Sequence, residues 1–231
     1  LAAFRAAIPG RIVFTTSFGL EDQIVTDLIF GATLAIEVVT LDTGRLFAET
    51  YALWSETEQR YGRRIRAVYP EREGLEALIE DQGIDGMYLS VDARQACCAV
   101  RKVVPLERAL CGAAGWVTGL RGGQSTARGG LPIVSFDAAY GLIKVNPLID
   151  VARQDLVAAA ARRAIPLNPL HAQGFPSVGC APCTRAVRPG EDERAGRWWW
   201  ENGETRECGL HVAGGRLARA AGPVSAARVP A

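Results

Sequence analysis

Along this chain, short apolar runs bounded by Gly, Pro and Asp alternate with stretches whose apolar positions recur every three or four residues. The first kind reads as buried strand and the second as amphipathic helix. Arg11–Thr15 predicts a strand, Thr16–Glu21 a polar Gly-containing loop, and Asp22–Phe30, with Ile24, Leu28 and Ile29 in phase, a helix. The same triplet repeats in Ala35–Leu41, the turn Asp42-Thr43-Gly44 and the helix Glu49–Tyr61, and Ile65–Tyr69 supplies a third strand. Such repeated strand–loop–helix units predict a doubly wound, mostly parallel α/β sheet with helices on both faces. Farther on, Leu75–Gln82 and Ala96–Leu110 read as helices, the second interrupted at Pro105. Trp116–Leu120, Ile133–Phe136 and Leu142–Val145 read as strands, and Asp150–Arg163 as an Ala-rich helix stopped at Ile165-Pro166. From Asn168 to His211 the wealth of Gly, Pro, Arg and Trp predicts a loop-dominated segment covering a site. Beyond Gly214 no periodic apolar face remains, and the composition predicts disorder.

Composition narrows the class. With 231 residues, 48% hydrophobic and 22% charged, one domain with a substantial core is expected, here 1–211, followed by a tail at 212–231. A net charge of +1 argues for neither a nucleic-acid nor a membrane partner. No apolar run approaches the roughly 20 residues that cross a bilayer, and the stretch after Leu1 has no signal-peptide pattern. Six cysteines in such a chain point to metal binding or catalysis in a reducing cytoplasm rather than to a disulfide framework.

Five of those cysteines are arranged for chemistry. Cys97 and Cys98 are adjacent, Cys180 and Cys183 form C-x-x-C, and Cys208 stands alone in Glu207-Cys208-Gly209-Leu210-His211. Two close pairs can surround an iron–sulfur cluster or a zinc ion, or remain unligated; adjacent cysteines suit a zinc knuckle poorly, and the spacing favours a cluster. Lys102, five residues after Cys97, falls within about a turn and a half of the pair on a helix. Cys208 reads as a reactive thiol, with Arg206, His211, Arg194 and Arg197 able to favour the thiolate and Glu207 opposing them. Cys111, in the apolar run Leu106–Ala114, reads as a small buried hydrophobe. The loop Thr15–Asp22 offers backbone N–H groups and hydroxyls at a helix N-terminus, an anion cradle without the Gly-Lys-Ser/Thr of a Walker A loop. Leu41–Arg45 is a second polar turn at a strand end, where open parallel sheets bind ligands. Arg121 and Arg128 follow another strand end, and Arg194 and Arg197 stand three apart, facing one way if helical. Guanidinium groups match phosphate and sulfate oxygens.

Taken together, the Cys-Cys pair, Gly179-Cys180-Ala181-Pro182-Cys183-Thr184, Asp192–Trp200 and the Glu-Cys-Gly-Leu-His motif resemble the assimilatory adenylyl-sulfate reductases, cluster-bearing relatives of the phosphoadenylyl-sulfate reductases. The resemblance runs from about Gly10 to His211 and implies a fold related to the adenine nucleotide alpha hydrolases and ATP pyrophosphatases. It implies a [4Fe–4S] cluster on Cys97, Cys98, Cys180 and Cys183, and Cys208 as the nucleophile toward the sulfur of adenylyl sulfate. Substrate contacts are then expected from Ser17, Gly19, Asp22, Thr43, Gly44, Arg45, Lys102, Gly119, Arg121, Arg128, Arg194 and Arg197. The tryptophan triplet Trp198–Trp200 would anchor the Cys208 segment by packing. Electrons would come from a separate thioredoxin or glutaredoxin, and a homo-oligomer is allowed. The stretches Thr184–Pro189 and Arg121–Arg128 depart from the family pattern. Three other readings stay open at this point: a reductase of the 3′-phosphorylated nucleotide, a tRNA-thiolating ATP pyrophosphatase, and a non-catalytic zinc- or cluster-binding module.

Overall fold

A computed structural model describes residues 1–124 and 128–201. A short helix α1 (Ala2–Ala7) precedes strand β1 (Ile12–Thr16), helix α2 (Leu20–Gly31), strand β2 (Glu37–Leu41), helix α3 (Ala48–Tyr61), strand β3 (Arg66–Val68) and helix α4 (Arg72–Gln82). Then come α5 (Val91–Cys98), α6 (Val104–Leu110), β4 (Gly115–Val117), β5 (Val134–Asp137), β6 (Leu142–Val145) and α7 (Arg153–Arg162). The six strands form one sheet in the order β3-β2-β1-β4-β6-β5, parallel throughout except for the β5–β6 hairpin.

Alternation of side chains along the strands divides the core. Ile12 and Phe14 face one side with Val38 and Val117, covered by Ile24, Val25 and Ile29 of α2, Leu53 of α3 and Leu156 and Ala160 of α7. Val13, Val39 and Trp116 face the other, covered by Leu106, Ala109 and Leu110 of α6. Both faces of the central strands are therefore buried, as apolar runs without polar alternation require. The chain winds outward from β1 through β2 to β3, then returns to place β4 on β1's other flank. The carboxyl ends of β1, β2 and β4 thus meet at a reversal of winding, where such sheets leave a crevice.

Several expectations shift. The helix read as Ala96–Leu110 begins at Val91, where the Ser90 hydroxyl caps the Ala93 N–H at 3.0 Å. The regular helix does break near Pro105: a π-helical turn, Ala99–Val103, comes just before it, and Pro105 falls in the first turn of α6. The strand read as Trp116–Leu120 ends at Val117, because the Thr118 hydroxyl accepts the Leu120 N–H at 3.3 Å and turns the chain into a loop. The helix read as Asp150–Arg163 spans Arg153–Arg162. Cys111 is exposed, not buried, since it follows the last turn of α6 and leaves that helix's apolar face. From Asn168 to Glu201 the chain is irregular, with short 3₁₀ turns at Pro169–Gln173 and Ala181–Cys183. Among the described residues no helix is long and apolar enough to cross a membrane.

Candidate active site

At the carboxyl ends of β1, β2 and β4 lies a cavity of about 180 Å³, walled on its far side by residues 176–180 and 193–198. Its floor is the loop after β1. Phe18 sits there at φ 60°, buried and stacked on Trp54 with ring centroids 5.7 Å apart, which holds the loop in a shape few side chains accept. The Asp22 carboxylate, in the first turn of α2, accepts the Ser17 N–H at 2.6 Å and its hydroxyl at 2.7 Å. Burial, opposed by these two bonds, still lifts its pKa to about 6. Gly119 makes this packing possible, since a Cβ there would lie 1.9 Å from Asp22 Oδ1.

The turn after β2 is held by its own side chains. Asp42 Oδ1 accepts the Gly44 N–H and the Tyr51 hydroxyl at 2.8 and 2.7 Å, and Gly44 takes φ 69°. The Thr43 hydroxyl accepts the Arg45 N–H at 3.2 Å and lies 3.3 Å from Cys180 Sγ, while the Thr43 carbonyl receives Arg101 Nη1 at 2.6 Å. Across the cavity, Arg197 and Arg194 lie over the Trp198 ring at 4.6 and 5.9 Å. A Cβ at Gly179 would come within 2.3 Å of the Arg197 guanidinium, so glycine there makes room for that charge.

A second, smaller cavity lies beyond this wall. Cys97, Cys98, Cys180 and Cys183 all line it, with Met87, Arg45, Arg94, Arg101, Lys102 and Trp198. Helix α5 presents the first cysteine pair. The turn Ala181–Cys183 presents the second, tied by the Ala181 N–H to the Arg45 carbonyl at 2.8 Å and by the Trp198 N–H to the Cys183 carbonyl at 3.2 Å. Burial pushes Cys183 up to about 11, helped by the proximity of Cys180, and pushes Cys97 up as well. Burial also acts on Cys180, but Lys102, the Thr43 hydroxyl, Arg197 and Arg101 outweigh it and hold that thiol below its ordinary value. The nest therefore combines thiols that repel one another when ionised with cations that draw them toward the thiolate. Lys102, Cys180 and Trp198 line both cavities.

Of the residues expected from sequence, Ser17, Gly19, Asp22, Thr43, Lys102, Gly119, Arg128, Arg194 and Arg197 share the larger cavity. Arg194 and Arg197 face it from a series of turns, not from a helix. Arg45 faces the cysteines, with its guanidinium on Asp85 at 3.1 Å and on the Ile84 carbonyl. Gly44 shapes its turn, close to the Arg101 guanidinium. Arg121 is a buried strut, paired with Glu21 at 3.0 Å and Glu193 at 2.5 Å, which braces the 193–198 wall against α2. Of the triplet, Trp198 is buried and Trp199 exposed. Cys208 lies outside the described residues. Arg101 was missed, although its four-residue spacing from Cys97 is a helical signal; so was the buried pair Arg94–Glu201, whose members are too far apart in sequence for any local pattern.

An open, mostly parallel sheet with a cavity at its switch point is the fold class of the adenine nucleotide alpha hydrolase-like proteins. The FMN adenylyltransferase of Candida glabrata superimposes with a TM-score of 0.52 at 14% identity, covering 87% of this chain and 69% of its own, and shares the fold. A phosphoadenylyl-sulfate reductase from Candida auris, solved as a phosphate complex, superimposes at 0.67 with 26% identity over 80% of this chain and 89% of its own. Residues 11–186 match the phosphoadenosine phosphosulfate reductase domain. Adenosine 5′-phosphosulfate reductases from Agrobacterium fabrum and Allochromatium vinosum are 55% and 54% identical, covering 97% and 87% of this chain and 85% and 78% of their own. The chain belongs to the phosphoadenosine phosphosulfate reductase family, among its adenosine 5′-phosphosulfate reductases.

Proposed function

We propose that this chain reduces adenylyl sulfate to sulfite and AMP in sulfate assimilation, and that the observation carrying this reading is the wall its two cavities share. The nucleotide cavity is built from strand-end loops, and Lys102, Arg194 and Arg197 bring positive charge to the side where it meets the cysteine nest. An anionic phosphosulfate directed there meets those cations, which offset the charge that builds on the leaving phosphate. Cys208 thiolate attacks the sulfur; the bond from sulfur to the phosphate oxygen breaks, and AMP leaves with the electron pair. One thiol of a thioredoxin or glutaredoxin then attacks Cys208 Sγ, sulfite departs with the S–S electrons, and the second thiol restores Cys208 as the donor becomes a disulfide.

The cysteine nest fits a [4Fe–4S] cluster. Four thiols on one lining suit a group that gives each thiolate its own iron. A bound cluster would tie α5 to the Ala181–Cys183 turn. The unphosphorylated nucleotide as preferred substrate is supported by the relatives at 54–55% identity. On this reading the cysteines serve a cluster and catalysis rather than disulfides, which suits a reducing cytoplasm.

The test is anaerobic purification followed by iron and acid-labile sulfide analysis, with sulfite release measured from adenylyl sulfate and from its 3′-phosphorylated form. The expected result is roughly four irons per chain, thioredoxin-dependent sulfite release and a higher kcat/KM for adenylyl sulfate. Stoichiometric zinc without iron refutes the cluster, and a preference for the 3′-phosphorylated form refutes the substrate.

A further inference from the structure

Arg94 is fully buried, on α5 and one helical turn before Cys98. Its guanidinium grips Glu201 with both arms, Nε to Oε1 at 2.8 Å and Nη2 to Oε2 at 2.7 Å. Its Cζ also lies 5.0 Å from the centre of the Trp198 ring. Trp198, buried at φ 44°, donates its N–H to the Cys183 carbonyl and accepts the Glu201 N–H at 2.9 Å. The Arg197–Glu201 segment is thus clamped at both ends, by backbone to the second cysteine pair and by an ion pair to the helix carrying the first. A buried ion pair is a costly way to gain stability, since apolar residues of similar volume commonly do as well. Its bidentate geometry does fix position, because a planar fork on a carboxylate allows little play.

We propose that Arg94–Glu201 is a positioning pair for the sulfur chemistry, fixing the point from which the chain departs toward Cys208, seven residues on. The proposal rests on the reading of Cys208 as the nucleophile. Seven residues span at most about 25 Å when extended, so the anchor limits where the thiol can go. It also ties Glu201 to Trp198, which lines both cavities, and a displaced reacting atom loses rate steeply, about 100-fold for 1 Å.

Three variants test it: Glu201→Gln, which keeps the volume and removes the charge; Arg94→Lys, which keeps the charge and removes the fork; and the double change Arg94→Met with Glu201→Leu, which fills the space without an ion pair. Each is treated with adenylyl sulfate without reductant, and the rate of S-sulfonation of Cys208 in one turnover is followed by quenching and mass spectrometry. AMP affinity, iron content and melting temperature are measured alongside. We expect folded proteins that bind AMP within about twofold of wild type, while the sulfonation rate, counted per iron-loaded chain because Arg94 also touches Cys98, falls roughly 10- to 100-fold. A folded double variant that sulfonates at the wild-type rate overturns the proposal, as does loss of iron and AMP binding in step with the rate. Absence of the Cys208 adduct in wild type instead removes the nucleophile reading on which the proposal stands, and so is distinguishable from both.

Discussion

The nucleotide cavity and the cysteine nest share a wall but are held in different ways. The first stands on the sheet: its floor and sides are the ends of β1, β2 and β4, backed by apolar layers on both faces. The second has little apolar support, with Met87, Cys180, Cys183 and Trp198 as its buried cluster, and is bounded by Arg45, Arg94, Arg101 and Lys102. Hydrophobic packing is non-directional and tolerates polar changes nearby, whereas a nest of thiols and cations depends on what neutralises it. Substitutions in the nest should therefore abolish chemistry and spare nucleotide binding, and substitutions at the strand ends should do the reverse.

The largest effect is expected at Cys183. Cys183→Ser should lose most of the iron and bring sulfite release to background, while AMP affinity stays within a few-fold of wild type. Metal analysis beside a calorimetric titration with AMP decides it; loss of AMP binding together with iron would show the two regions to be one cooperative unit. At the strand ends, Gly119→Ala drives a Cβ into the space of Asp22 Oδ1, 1.9 Å away. Overpacking of this kind costs about 1–3 kcal/mol of folding stability; with the Asp22 loop displaced, binding must re-form it against that same energy, so AMP affinity should fall roughly 10- to 100-fold with iron retained. Unchanged affinity would mean that the Asp22 loop does not form the binding floor.

Asp22→Asn sharpens the comparison with little change in turnover. Since burial lifts the Asp22 pKa from 3.8 to about 6, the folded protein keeps a proton that the unfolded chain has released. Between about pH 4 and 6 this group makes stability fall as pH rises, opposite to a salt-bridged carboxylate, and above that range its ionisation costs about 3 kcal/mol. Asp22→Asn removes the term. Its stability advantage over wild type should grow from near zero at pH 4 to about 2–3 kcal/mol at pH 7, measured by denaturant unfolding across that range. An advantage independent of pH would contradict the burial argument.

The same contrast governs what was legible in the sequence. Ile12, Phe14, Val38 and Val39 betray the sheet because side-chain alternation is a local property, and the polar loops at Ser17–Asp22 and Asp42–Gly44 mark the strand ends that form the cavity. The gathering of Cys97, Cys98, Cys180 and Cys183 on one lining is foreshadowed by their pairing in sequence. The ion pairs around them are not: Arg94 meets Glu201 and Arg121 meets Glu21 across separations of 107 and 100 residues, which only the fold brings together. Arg45 sits in a strand-end turn, a position that points to the nucleotide, yet its long side chain reaches around that turn to Asp85 and the cysteines. Cys111 departs from the apolar run around it because the residue just past a helix's last turn no longer follows the helix period. The π-helical turn before Pro105 has no sequence signature of its own.

The central claim is that the nucleotide cavity and the cysteine-rich side serve one covalent reaction, and the state of the protein after a single turnover tests it most directly. Wild-type enzyme mixed with one equivalent of adenylyl sulfate and no reductant should release AMP and carry one SO₃ group, found by peptide mass analysis on the fragment containing Cys208. Thioredoxin should remove that group as sulfite, and Cys208→Ser should bind AMP but acquire no adduct. Sulfite release without an adduct, or an adduct on Cys97, Cys98, Cys111, Cys180 or Cys183, would contradict the account.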